Sequence, residues 1–171
     1  MDEDILKIIW RENCAIDGFC VRLRTALVWD KDAFDRLTEA MRRCCKSYEI
    51  MSAQQQKQLY EQARQTPQEY VAKQRAAEKN DPEDDFEDLR DPPLPETTRM
   101  FPDWLAEIFW YLSHFVRDWT SHEAWDMDRA REPEYFNKAY QRLDELAIWF
   151  FTGNCPWMDE EKGWASTAVT L

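Results

Sequence analysis

The chain has 171 residues and a net charge of −12, with 44% hydrophobic and 33% charged residues, which is typical of a folded, highly charged protein and excludes a disordered one. Only three glycines occur, so neither a Gly-x-Gly dinucleotide fingerprint nor a P-loop can be written. No apolar run has the roughly 20 residues of a membrane span. The acidic start "MDEDILKIIW" is unlike a secretion signal, and five irregularly spaced cysteines resemble reduced thiols. We therefore expect a cytoplasmic protein.

The N-terminal region, residues 1–79, is predicted to be helical. Residues 1–30 have a mixed pattern that favours short helices. Asp30 is a credible N-cap, and the apolar residues after it recur with the i, i+3, i+4 spacing of an amphipathic helix of about 18 residues. These apolar residues are Phe34, Leu37, Ala40, Met41, Cys44, Cys45 and Tyr48.

Two further helices are predicted from capping boxes. Ser52 is followed by Gln55 and Thr66 by Glu69, with Pro67 at the first position of the second helix. Residues 31–79 hold ten basic and seven acidic side chains, which makes this part of an acidic protein mildly basic. The two helices predicted from capping boxes have thin apolar stripes and therefore need a partner or stay solvated.

Residues 80–99 are predicted to be an acidic, proline-rich linker. The stretch "NDPEDDFEDLRDPPLPETTR" has four prolines and eight acids. Prolines remove backbone donors and the acids repel one another, so an extended conformation is favoured.

The C-terminal region, residues 100–171, is predicted to be a tryptophan-rich helical hairpin. One long helix is expected from Asp103 to about Ala130, and a second begins at Pro133 and ends before Gly153. Its expected stripe includes Phe136, Leu143 and Phe150. The predicted fold is therefore all-α, a bundle of about five to six helices.

Both histidines lie in the segment "EIFWYLSHFVRDWTSHEAWDMD". If this segment is one helix, its core residues, which include Tyr111, Phe115 and Trp119, cluster in an arc roughly 160° wide, and a second set lies beside that arc. We expect this second set to form a protein-binding surface if its aromatic rings are exposed, because tryptophan is enriched at binding hot spots. The set consists of Glu107, Trp110, His114, Asp118 and Trp125.

No metal or cofactor is predicted. His114 and His122 are eight residues apart, about 12 Å along a helix axis, so they cannot share one ion. A metal ion bound there would need further ligands, and no His or Cys pair in the sequence indicates them. Hydrogen bonds of His114 with Asp118 and of His122 with Asp126 explain the spacing more simply. Cys44 and Cys45 lie beside three cations, which would activate a thiol, but both also fit the apolar stripe.

The composition favours a non-enzymatic, acidic protein-binding module. The expected type is an inhibitor, an immunity-like protein or a small accessory subunit, whose charge steers it to a basic protein partner. The first alternative is an accessory subunit of a nucleic-acid-handling complex, with Arg42, Arg43 and Lys46 on its basic face. The second alternative is a small metal-dependent or thiol enzyme or sensor.

Overall fold

A computed structural model describes residues 3–63 and 101–153, and these residues contain helices and no β-strand. The predicted all-α bundle of about five to six helices is confirmed. None of the helices in these two ranges is long and apolar enough to cross a membrane. The helices are α1 (Glu3–Cys14), α2 (Phe19–Ala26), α3 (Lys31–Glu49), α4 (Ala53–Ala63), α5 (Asp103–Thr120), a 3-10 turn (Glu123–Trp125), α6 (Asp126–Arg131) and α7 (Pro133–Thr152).

The helices on either side of residues 64–100 share one hydrophobic core. Helix α3 packs between α1 and α7, α5 packs against α7, and α2 contacts both α1 and α5. The core is a single cluster whose members run from Ile5 in α1 to Phe150 in α7. The tryptophan-rich pair α5 and α7 is therefore one side of a common core that also includes the N-terminal helices.

Helix α3 forms as its sequence predicts. The carboxylate of Asp30 accepts a hydrogen bond from the backbone N–H of Ala33 at 3.0 Å, which satisfies one of the free donors at the helix start. The seven apolar residues of the predicted stripe are all buried. Since their spacing follows the helical period, they form one continuous face toward α1 and α7.

The other predicted helix ends that can be compared also form. Ser52 and Gln55 make the reciprocal hydrogen bonds of a capping box at the start of α4. Pro133 is the first residue of α7, and Gly153 follows its end with a left-handed φ of 78°. The predicted helix at Thr66 and the linker at 80–99 lie outside the described residues.

Helix α5 is shorter than predicted, and the expectation of one helix to Ala130 is wrong. It ends at Thr120, and His122 takes an extended conformation before the 3-10 turn. The hydroxyl of Ser121 donates to the carbonyl of Asp118 at 2.7 Å. A serine side chain that bonds to a nearby backbone carbonyl competes with the backbone hydrogen bonds of the helix, and this competition favours the end of a helix. The residues after Thr120 therefore do not lie on the helix face that they would occupy if α5 continued.

The turn between α1 and α2 depends on a close backbone approach at Gly18. A Cβ atom at this position would lie 2.3 Å from the carbonyl oxygen of Arg11. The turn also buries Glu12, which is 3% exposed. Its carboxylate accepts from the backbone N–H of Phe19 at 3.2 Å and from Arg36 at 3.1 Å. This buried carboxylate therefore links α1, α2 and α3.

Candidate functional site

The outer face of α5 holds three of the side chains predicted to bind a partner. Glu107, His114 and Asp118 are exposed, and the half-buried Tyr111 lies among them. The four residues occupy positions i, i+4, i+7 and i+11, so they share one face of the helix. We call these four residues the α5 outer face. The sequence correctly placed its three polar members together, and their role in binding stays a prediction.

A row of half-buried aromatic rings borders the α5 outer face on one side. The ring centroids of Tyr111 and Phe115 are 5.9 Å apart, and those of Phe115 and Trp119 are 6.2 Å apart. The rings of Phe115 and Trp119 pack against the core, and all three rings are partly open to solvent. From the sequence these three residues were expected in the core arc. The structure shows that this arc is wider than the area that neighbouring helices cover.

Trp110 borders the α5 outer face on its other side. It is half-buried, and its ring lies 6.1 Å from the imidazole of His114 and 6.0 Å from the ring of Phe151 in α7. The indole therefore contacts α7 through Phe151. The part that stays open is an apolar surface beside the exposed imidazole.

Trp125 does not lie on this surface. It is 3% exposed and belongs to the hydrophobic core, because the chain leaves the helical path after Thr120. The sequence argument placed Trp125 on the outer face by extending the helical period past this break. That placement is wrong, and the half-buried rings on and beside this face include those of Tyr111 and Phe115.

The carboxylates of the α5 outer face are exposed to solvent. Within the described ranges, neither Glu107 nor Asp118 has a side-chain ion pair or hydrogen bond. The nearest cation along the helix, Arg117, points elsewhere and binds Asp144 of α7 at 2.6 Å. The face therefore holds two exposed negative charges among aromatic rings.

The histidines do not form a metal centre in the part of the chain that the structure describes. There, no three His, Cys, Asp or Glu side chains are grouped to hold an ion. The Nδ1 atom of His122 accepts from the backbone N–H of Ala124 at 3.1 Å and so caps the 3-10 turn, while Asp126 pairs with Arg129. The expected pair of His122 with Asp126 is therefore replaced by local contacts, and within the described ranges no hydrogen bond joins His114 to Asp118.

A groove opens beside the α5 outer face, where α1, α2 and α5 meet. Its volume is about 430 Å³. Its wall includes the rings of Trp10 and Trp104, which contact each other edge to face with centroids 5.2 Å apart. The residues that line the groove include Trp10, Arg24, Trp104, Glu107, Tyr111 and Phe115. Sequence reasoning missed this groove, since it depends on how α1 approaches α5.

The predicted basic face on α3 is close to charge balance. The helix holds five basic and four acidic side chains. Arg42 donates two hydrogen bonds to Glu39, at 2.7 and 2.5 Å, and Arg36 binds Glu12. Arg43 and Lys46 are exposed. Acidic side chains of α3 and α1 thus neutralise part of the basic face that the nucleic-acid hypothesis requires.

The described cysteines are inside or partly inside the bundle. Cys44 and Cys45 are buried, and the thiol of Cys45 donates to the carbonyl of Leu146 at 3.7 Å. Cys14 and Cys20 line the groove. Burial raises the pKa of both groove thiols above its usual value, so the reactive thiolate is disfavoured.

No protein-family model, curated protein or solved structure matches the chain.

Proposed function

We propose that the chain is a non-enzymatic, acidic protein-binding module that binds a basic protein partner through the α5 outer face. The expected type is an inhibitor, an immunity-like protein or a small accessory subunit. The observation that carries the proposal is the pair of exposed carboxylates, Glu107 and Asp118, which lack an ion-pair partner in the described ranges and lie among half-buried rings.

The charges account for attraction and the rings for affinity. A net charge of −12 attracts a basic surface over the Debye length, which is about 8 Å at physiological ionic strength. Charge complementarity chiefly accelerates association and selects the partner. Rigid aromatic rings contribute more to affinity, since hot spots are enriched in tryptophan and tyrosine. Both kinds of group occur together around Tyr111.

A binding role also agrees with the state of the candidate nucleophiles. The thiols of Cys14, Cys20, Cys44 and Cys45 are buried or half-buried, and the pKa of each groove thiol is raised by burial. Such thiols contribute to packing more readily than to catalysis.

The proposal is tested by affinity capture from the native cell extract, with the wild-type chain and the double variant Glu107→Gln/Asp118→Asn compared at low and high salt. The wild type should retain a basic protein at low salt and lose most of it at high salt, and the variant should retain much less. Reversing the charges of Arg43 and Lys46 is the matched control, because these exposed residues lie on α3.

Two results would count against the proposal. Capture that resists salt and is equal for the wild type and the double variant would remove the role of the carboxylates. Capture that disappears after nuclease treatment and depends on Arg43 and Lys46 would move the interaction to the α3 face and to nucleic acid.

A further inference from the structure

The groove between α1, α2 and α5 is continuous with the α5 outer face. Glu107 and Tyr111 belong to both, since each lines the groove and lies on the face. A partner segment lying along the outer face therefore passes the mouth of the groove. The volume of about 430 Å³ is within the range of roughly 300–1,000 Å³ that is usual for ligand pockets.

The lining of the groove is suited to an apolar side chain. Trp10 and Trp104 meet edge to face, and Phe115 extends the aromatic wall along α5. Arg24 also lines the groove, from α2. The negative charges lie toward α5, on Glu107 at the groove and Asp118 farther along the helix. Mostly apolar side chains therefore line the groove, and the two exposed carboxylates lie along the face of α5 that borders it.

We infer that this groove is the anchor pocket for the partner: it takes one apolar side chain, such as Phe or Leu, from a basic segment. The Lys or Arg residues flanking that anchor pair with Glu107 and Asp118. This inference rests on the proposed function, and it names the segment of the partner that the surface recognises. The occupant is a partner segment because the α5 outer face, which borders the groove, carries charge complementary to a basic chain.

The test uses two short lysine-rich peptides that differ at one central residue, phenylalanine in one and alanine in the other. Each is titrated into the ¹⁵N-labelled full chain. The phenylalanine peptide should bind roughly tenfold tighter or more, because burying an aromatic side chain contributes that much affinity. The indole N–H resonances of Trp10 and Trp104 should shift with it, and those of the core residues Trp125 and Trp149 should not.

Matched variants separate the groove from the carboxylates of the α5 outer face. Val21→Phe adds a ring at a half-buried position that lines the groove, whereas Thr25→Phe adds the same ring one turn farther along α2 at an exposed position. Val21→Phe should remove the preference for the phenylalanine peptide, and Thr25→Phe should keep it. Glu107→Gln/Asp118→Asn should weaken both peptides equally.

The outcomes are distinguishable. If both peptides bind with equal affinity in a salt-dependent way, and Val21→Phe changes nothing, the anchor pocket is refuted while the acidic binding face stands. If neither peptide binds at low salt, the proposed function fails together with the pocket. If the chain dimerises in sedimentation and Val21→Phe dissociates the dimer, the groove belongs to a second copy, and the inference about a basic partner is overturned.

Discussion

Replacing Asp30 tests whether one carboxylate fixes the start of α3. The carboxylate accepts a hydrogen bond from the backbone N–H of Ala33 at 3.0 Å and binds the guanidinium of Arg22 at 2.5 Å. Loss of an N-cap costs about 1 kcal/mol, and loss of a partly exposed ion pair costs roughly 0.2–1 kcal/mol. Asp30→Ala should therefore lower the free energy of unfolding by about 1–2 kcal/mol.

Asp30→Asn is the matched control, because asparagine caps helices about as well as aspartate. It should lose only the ion pair, so its cost should be below about 1 kcal/mol. In thermal denaturation, about 1.5 kcal/mol corresponds to roughly 3–6 °C in Tm for a chain of this length. If Asp30→Ala and Asp30→Asn have the same Tm, the cap contributes nothing and the reasoning is refuted.

The pH dependence gives a second check on Asp30. The hydrogen bond from Ala33 and the charge of Arg22 lower the pKa of this carboxyl below its usual value. A lowered pKa means that the ionised carboxylate stabilises the fold above the unfolded-state pKa of about 3.9, and that this contribution is lost as the pH falls through the folded-state pKa. The stability difference between the wild type and Asp30→Asn should therefore shrink below about pH 4.

Three further substitutions test other parts of the structure. Glu145 is buried, and burial raises the pKa of its carboxyl group. Ionisation of this group therefore destabilises the fold as the pH rises. Glu145→Gln should raise the Tm at pH 7 but not at pH 4. Gly18→Ala should lower the Tm markedly, because its Cβ would clash with the backbone of Arg11; an unchanged Tm would contradict this packing. Trp125→Ala should cost about 3–5 kcal/mol in urea denaturation, whereas Trp110→Ala should cost less and chiefly weaken partner capture; equal costs would refute the burial difference.

The predictions that held depend on short stretches of sequence. The N-cap at Asp30, the capping box at Ser52 and Gln55, and the helix between Pro133 and Gly153 each involve neighbours within one or two turns. The buried stripe of α3 follows from the helical period alone. Such features are readable because their hydrogen bonds and spacing are local.

The predictions that failed required knowledge of distant parts of the chain. Nothing in the apolar pattern marks the end of α5 at Thr120, where the hydroxyl contacts both its own helix and Tyr140 of α7, the latter at 2.7 Å. The apolar stripe of α7 likewise does not indicate that Trp149 is buried, with its indole N–H donating to Glu49 of α3. The end of α5 thus combines the local bond of Ser121 with a contact to a distant helix, and the burial of Trp149 depends on packing between helices that are far apart in sequence.

The sequence by itself determined the all-helical fold, the acidic character and the common face of Glu107, His114 and Asp118, because helical period and charge are properties of the local chain. Only the tertiary structure decided which aromatic rings stay open to solvent. It moved Trp125 into the core and left Tyr111, Phe115 and Trp119 half-covered. The tertiary structure also formed the groove, because α2 contacts both α1 and α5 and the groove lies where these three helices meet.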